Sequence, residues 1–141
     1  MTAFRTSRQL PAKPNVVFAA FSDPSRLAKW WGPIGFSNIF QLFDFKQGGN
    51  WNFTMIAPDG KKYPNESVFT QIIKNKQIVI KHLSQPLFEL SITLHENDVG
   101  TLVDWEQVFA DASVAGAIRH IVEPANEQNL DRLANAIQTG S

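Results

Sequence analysis

Residues 48–69, GGNWNFTMIAPDGKKYPNESVF, carry the reading that decides the fold. Ala57-Pro58-Asp59-Gly60 sets proline second and glycine fourth in a tight turn. That is the pattern of a type I turn closed by a left-handed glycine, and hence of a three-residue hairpin. Pairing Ala57 with Lys61 across it places Met55 opposite Tyr63, Phe53 opposite Asn65 and Trp51 opposite Ser67. Side chains alternate along a strand, so Trp51, Phe53 and Met55 share one face while Asn52 and Thr54 share the other. A slip of one residue would exchange the two sets. Pro64 has no amide proton for a ladder and marks a bulge or an edge. A bulge there would turn Glu66 inward and Asn65 outward.

Working outward, turn signals at Gly48-Gly49, Asn75-Lys76, Gln85-Pro86 and Asn97-Asp98 join that hairpin to divide residues 36–109 into six short-looped strands, an antiparallel meander. A two-residue turn at Asn75-Lys76 sets Ile73 opposite Ile78, Gln71 opposite Ile80 and Phe69 opposite His82. A three-residue loop at 84–86 pairs His82 with Phe88 and Ile80 with Leu90. One face then collects Trp51, Phe53, Met55, Phe69, Ile73, Ile78, Ile80, Phe88, Leu90, Ile92, Val103, Trp105 and Phe109, while Thr70, Lys81, Glu89, Asp104 and Glu106 lie on the other.

Upstream, residues 2–10 alternate as a first strand. Pro14 suits a first helical position, ahead of Val17, Phe18 and Phe21. Asp23-Pro24 repeats the signal as N-cap and first residue of a second short helix to about Lys29, ended by Gly32-Pro33. Downstream, 111–140 reads as helix. Val114, Ile118 and Ile121 or Val122 form one stripe, and Leu130, Leu133 and Ile137 form another. Pro124 either kinks one helix or starts a second, and Gly140 suits a C-terminal stop. A one-faced sheet must cover its apolar side, and this helix is the only element long enough.

The 141 residues point to a single domain, 1–141. Thirteen basic residues balance thirteen acidic ones, so charge gives no case for nucleic acid or an anionic membrane surface. Cysteine is absent, which excludes disulfides and thiol nucleophiles and fits a cytoplasmic location. No signal-peptide h-region opens the chain, and no apolar run approaches the roughly 20 residues of a membrane helix. His82, His95 and His120 lack metal-ligand spacing. There is no phosphate loop or dinucleotide fingerprint, so no metal and no cofactor is expected.

Four stretches carry a family resemblance: FAAFSDPSRLAKWWGP (18–33), the hairpin at 48–69, HLSQPLFELSITL (82–94) and NLDRLANAI (129–137). Over nearly its whole length the chain resembles the homologues of the activator of the 90-kDa heat-shock-protein ATPase, in their C-terminal-type domain. That family belongs to the START-like (SRPBCC) superfamily, with the birch-pollen allergen and polyketide cyclases. The resemblance implies an α+β helix-grip fold: a curved antiparallel sheet wrapped around a long C-terminal helix, two short helices after strand 1, and a cavity between sheet and helix.

Such a cavity would be lined by Trp31, Trp51, Phe53, Met55, Ser67, Phe69, His82, Phe88, Leu90, Trp105, Gln107, Ile118, Leu130 and Leu133. The inner-face polar residues Asn65, Ser67, Gln71, His82 and Gln107 allow two accounts. Either they bond one another, the backbone or buried water, or they fix a small apolar ligand. Trp30 and Trp31 are both plain core, or one packs under the sheet while the other lines or closes the cavity mouth.

The leading expectation is a binding domain for a small hydrophobic molecule. The alternative is a cyclase or hydrolase-type enzyme with His82 as acid or base, joined by Glu66 if Pro64 makes a bulge. A chaperone ATPase-modulating role is the third and least expected, since the sequence shows no additional N-terminal domain like that of the eukaryotic co-chaperones.

Overall fold

The computed structural model describes residues 2–139. The elements run β1 (Thr2–Leu10), α1 (Pro14–Ser22), α2 (Pro24–Trp30), β2 (Ser37–Phe43), β3 (Asn50–Ile56), β4 (Lys62–Ile73), β5 (Gln77–His82), β6 (Phe88–Asn97), β7 (Gly100–Phe109) and α3 (Ala112–Thr139). All seven strands form one antiparallel sheet in the order β1-β7-β6-β5-β4-β3-β2. β2 to β7 are the expected meander, and β1 returns to pair with β7 at the far edge. This is the helix-grip arrangement: α3 packs on β1 and β7, with α1 and α2 beside it.

The opening hairpin has the register read from its turn, with Trp51 opposite Ser67, Phe53 opposite Asn65 and Met55 opposite Tyr63. Pairing is regular through Pro64, so there is no bulge there and Glu66 stays outward and exposed. Pro64 is tolerated because β4 outruns β5, whose ladder starts only at Ser67 opposite His82. His82 faces Phe88 and Ile80 faces Leu90 as expected.

The β4–β5 connection differs. Its loop has three residues, 74–76, with Asn75 in the left-handed region at φ 62°. Ile73 therefore pairs with Gln77 and is exposed, while Ile72 pairs with Ile78 and packs on the core. A bulge between Phe69 and Gln71 then restores the phase, so Phe69, opposite Ile80, still points inward. Gln71 is corrected to the outer face. Its amide donates to Gln77 at 3.0 Å, and Gln77 donates to Thr93 at 3.2 Å.

α3 is one helix with Pro124 inside it. Asp111 opens it by accepting from the amides of Ser113 and Val114. Its first stripe runs through Ile118 and Val122, which pack beside Phe4, Phe109 and Ala115, while Ile121 is exposed. Leu130 and Leu133 are fully buried. The expected stop at Gly140 lies outside the described residues. Among those residues no helix is long and apolar enough to cross a membrane.

Candidate functional site

The centre of the molecule is built around the Trp30-Trp31 pair. Asp23 caps α2, accepting from the Ser25 amide at 3.0 Å, and the helix runs to Trp30. Trp30 is helical and packs edge-on against Phe21 at 4.9 Å, its indole N–H donating to the Ala20 carbonyl at 3.0 Å. Trp31 is the C-cap, extended at φ −65° and ψ 134°. One backbone step from helical to extended gives the two neighbouring rings different further partners, while they touch each other edge-on at 5.6 Å. Trp31 reaches under the sheet and contacts Trp51 at 5.1 Å and Trp105 at 5.8 Å. Gly32 follows at φ 99°, a conformation that disfavours any Cβ. A Cβ there would also lie 2.6 Å from the Met55 Cε.

The loop that carries Trp31 is fastened by polar bonds, mostly to α3. Asn129 Oδ1 accepts from the Gly32 amide at 3.0 Å, and Gln128 Oε1 accepts from the Ile34 amide at 3.2 Å. Asn38 Nδ2 donates to the Trp31 carbonyl at 2.8 Å. Arg132 Nη1 faces the carbonyls of Trp31, Gly32 and Pro33 at 3.1, 3.1 and 2.9 Å, and Nη2 donates to that of Lys29 at 2.7 Å. Burial pushes the Arg132 pKa down, but a guanidinium stays charged at any working pH. Four carbonyl oxygens surround it.

Of the expected lining residues, Trp31, Trp51, Phe53, Phe69, Leu90, Trp105, Leu130 and Leu133 meet in one buried cluster, with Met55 partly buried at its edge. Phe88 bridges this cluster and the smaller one under α3, where Ile118 packs. A void wide enough for water would leave accessible surface on its walls. Trp51, Phe69 and Trp105 are each 1% exposed, and Leu130 and Leu133 are at 0%. The space beside these five side chains is therefore filled, with Trp31 among the filling. A surface hollow of about 730 Å³ lies elsewhere, where Lys13, Lys76 and His95 meet.

The inner polar residues find partners within the protein. Ser67 Oγ donates to the Trp51 carbonyl at 2.7 Å, and Gln107 Oε1 accepts from Asn126 Nδ2 at 3.1 Å. His82 stacks on Phe88 at 4.4 Å, with Nδ1 2.8 Å from the Pro86 carbonyl and Nε2 2.7 Å from Asn65 Oδ1. A neutral imidazole donates to only one of these. Burial holds its pKa below the ordinary histidine value, against the pull of the Pro86 and Ser84 backbone. Both ring nitrogens thus face protein acceptors, and the outward Glu66 offers His82 no second catalytic group. Among the described residues no cluster of metal-ligating side chains occurs.

Sequence reasoning missed Gln128, Asn129 and Arg132. The signal was present in α3: Asn129 adjoins Leu130 and shares a helix face with Arg132 at i+3, so polar groups border the apolar stripe.

Residues 11–138 match the family described as Activator of Hsp90 ATPase homolog 1-like protein. No curated protein matches the chain. Among solved structures, a Nitrosomonas europaea protein superposes with a TM-score of 0.89 at 18% identity, covering 98% of this chain and 95% of its own. A Chromobacterium violaceum protein gives 0.84 at 24%, covering 96% of each chain. An AHSA1-like protein from Aeromonas hydrophila gives 0.81 at 17%, covering 99% of this chain and 94% of its own. These likenesses establish the fold.

Proposed function

We propose, because the chain belongs to the Activator of Hsp90 ATPase homolog 1-like family and has its START-like fold, that it binds a small apolar ligand between sheet and α3, in space that the Trp31 ring fills at rest. The observation that carries this reading is where Trp31 sits. It is a core ring at the junction of α2 and a loop: its amide donates to the Leu27 carbonyl at the end of α2, and the chain after it is held by side chains of Asn38, Gln128, Asn129 and Arg132. A loop fastened by exchangeable hydrogen bonds can swing without unfolding the sheet.

The cost of opening sets what the ligand must supply. Exposing a large apolar side chain costs about 1.5–3 kcal/mol, and releasing the Arg132 bonds to the loop adds about 3 kcal/mol. An opening of about 6 kcal/mol leaves roughly one molecule in 25,000 open, and weakens apparent affinity by the same factor. A ligand large enough to cover Trp51 and Trp105 together offsets this, and a fragment of a few atoms does not.

The reading predicts that the neutral apolar fluorophore N-phenyl-1-naphthylamine gains emission saturably on mixing with the protein, while tryptophan emission falls by energy transfer. Flat emission, with all four indole N–H resonances unmoved, would remove the reading.

A further inference from the structure

We infer that the ligand of this interior site is a neutral ring compound bearing a carbonyl or ether oxygen, which accepts a hydrogen bond from the indole N–H of Trp51 or Trp105. The inference rests on the reading above and adds the chemistry of the guest.

Trp51 and Trp105 are each 1% exposed, and neither Nε1 has a hydrogen-bond partner. With so little accessible surface, no water reaches either donor. Buried donors are nearly always paired, because an unpaired one forfeits its hydration without return. Trp30 shows the ordinary solution in the same core, its N–H donating to Ala20. The two orphaned donors belong to the two rings of the sheet that Trp31 touches. At rest Trp31 offers them at best the face of an aromatic ring, a second-order acceptor. A guest that displaces the Trp31 indole and presents an oxygen supplies what both donors lack.

The guest's charge is set by what surrounds it. The buried polar side chains among the described residues are Ser67, His82, Thr101, Gln107 and Asn129, with no Asp, Glu, Lys or Arg. A cationic guest would lose its hydration with no opposite charge to meet it, and for an anionic one the half-buried Arg132 is already engaged by four backbone carbonyls. His82, Asn65 and Gln107 already hold protein partners. The other buried polar atoms without a partner among the described residues are Asn38 Oδ1, an acceptor beside the Trp31 carbonyl, and Arg26 Nε, so at the two sheet rings that Trp31 touches the unfilled polar capacity is the pair of indole donors.

The test compares benzophenone with diphenylmethane, which differ by a carbonyl in place of a methylene. Binding to the full chain is followed by fluorescence and by the indole N–H resonances, assigned through Trp51→Phe and Trp105→Phe. The expected result is about tenfold tighter binding of the ketone, a downfield shift of the Trp51 or Trp105 indole proton with benzophenone only, and loss of the preference in the matching variant. Equal affinities with both indole protons unmoved would overturn this inference and leave apolar binding standing. Binding of neither compound would take down both. If a Phe variant does not fold, Trp51→Tyr or Trp105→Tyr supplies the missing assignment and the wild-type shift decides.

Discussion

Replacing Arg132 with methionine tests the fastening of the Trp31 loop. The substitution keeps an apolar stem and removes the guanidinium. Nη1 faces three carbonyls but carries two protons, so those contacts amount to about two bonds, and Nη2 adds one to Lys29. Bonds to a charged donor contribute about 1.5–3 kcal/mol each when well buried. Arg132 is only half-buried and borders a solvent-open hollow shared with Lys29 and Ile34, so water replaces part of each bond. About 1 kcal/mol per bond is the reasonable scale, or about 3 kcal/mol in all. For a domain of this size that lowers the melting temperature by roughly 10 °C. Thermal unfolding by circular dichroism reads it, and acrylamide quenching reads the loosened Trp31 loop. Arg132→Lys recovers less than half of the loss, because a point charge cannot span the carbonyls that the planar fork does. A methionine variant melting within about 2 °C of wild type, with quenching unchanged, would show that the four carbonyls do not need the cation and that the loop is held by something else.

Trp31→Ala should cost about 3–5 kcal/mol and leave a folded protein, and millimolar indole should recover several degrees of melting temperature by filling the vacated space. A variant that indole does not stabilise has collapsed around the gap, contrary to a pre-shaped site. The lowered pKa of His82 means that the unfolded chain binds the proton more readily than the folded one. Its contribution to stability is thus complete above about pH 6.5 and is lost as pH falls below that value; denaturant unfolding from pH 8 to 5 should show the decline, and His82→Gln should flatten it. Gly49→Ala places a Cβ 2.0 Å from the Asp44 carbonyl oxygen, which only a backbone shift relieves; we expect little soluble protein, and a wild-type melting curve would contradict the close approach.

The sequence by itself determined the sheet's two faces. Strand periodicity is two, so one legible turn, Pro58-Asp59-Gly60, phases Trp51, Phe53 and Met55 against Ser67 and Asn65 with nothing else known. It also fixed the start of α2, because Asp23 and Pro24 act on amides within their own turn. The phase of β4 against β5 was not legible. Asn75-Lys76 reads equally well as part of a two-residue or a three-residue loop, and the bulge after Phe69 that corrects the phase comes from packing Phe69 against Trp51 and Phe45. Pro64 and the Trp pair lie between these cases. The sequence allowed an edge or a bulge, and core or cavity mouth, and the length of β5 and the backbone step at Trp31 chose between them.

Only the tertiary structure decided whether the space between sheet and helix is hollow. A pattern of apolar residues states which side chains face inward, but not how their rings interlock. Here Trp31 arrives from a loop outside the sheet and fills the gap between elements that the pattern treats separately. The clasp on that loop is likewise nonlocal. Arg132 lies about a hundred residues from the carbonyls it holds, and on a helix facing water the same residue would be an ordinary solvated charge.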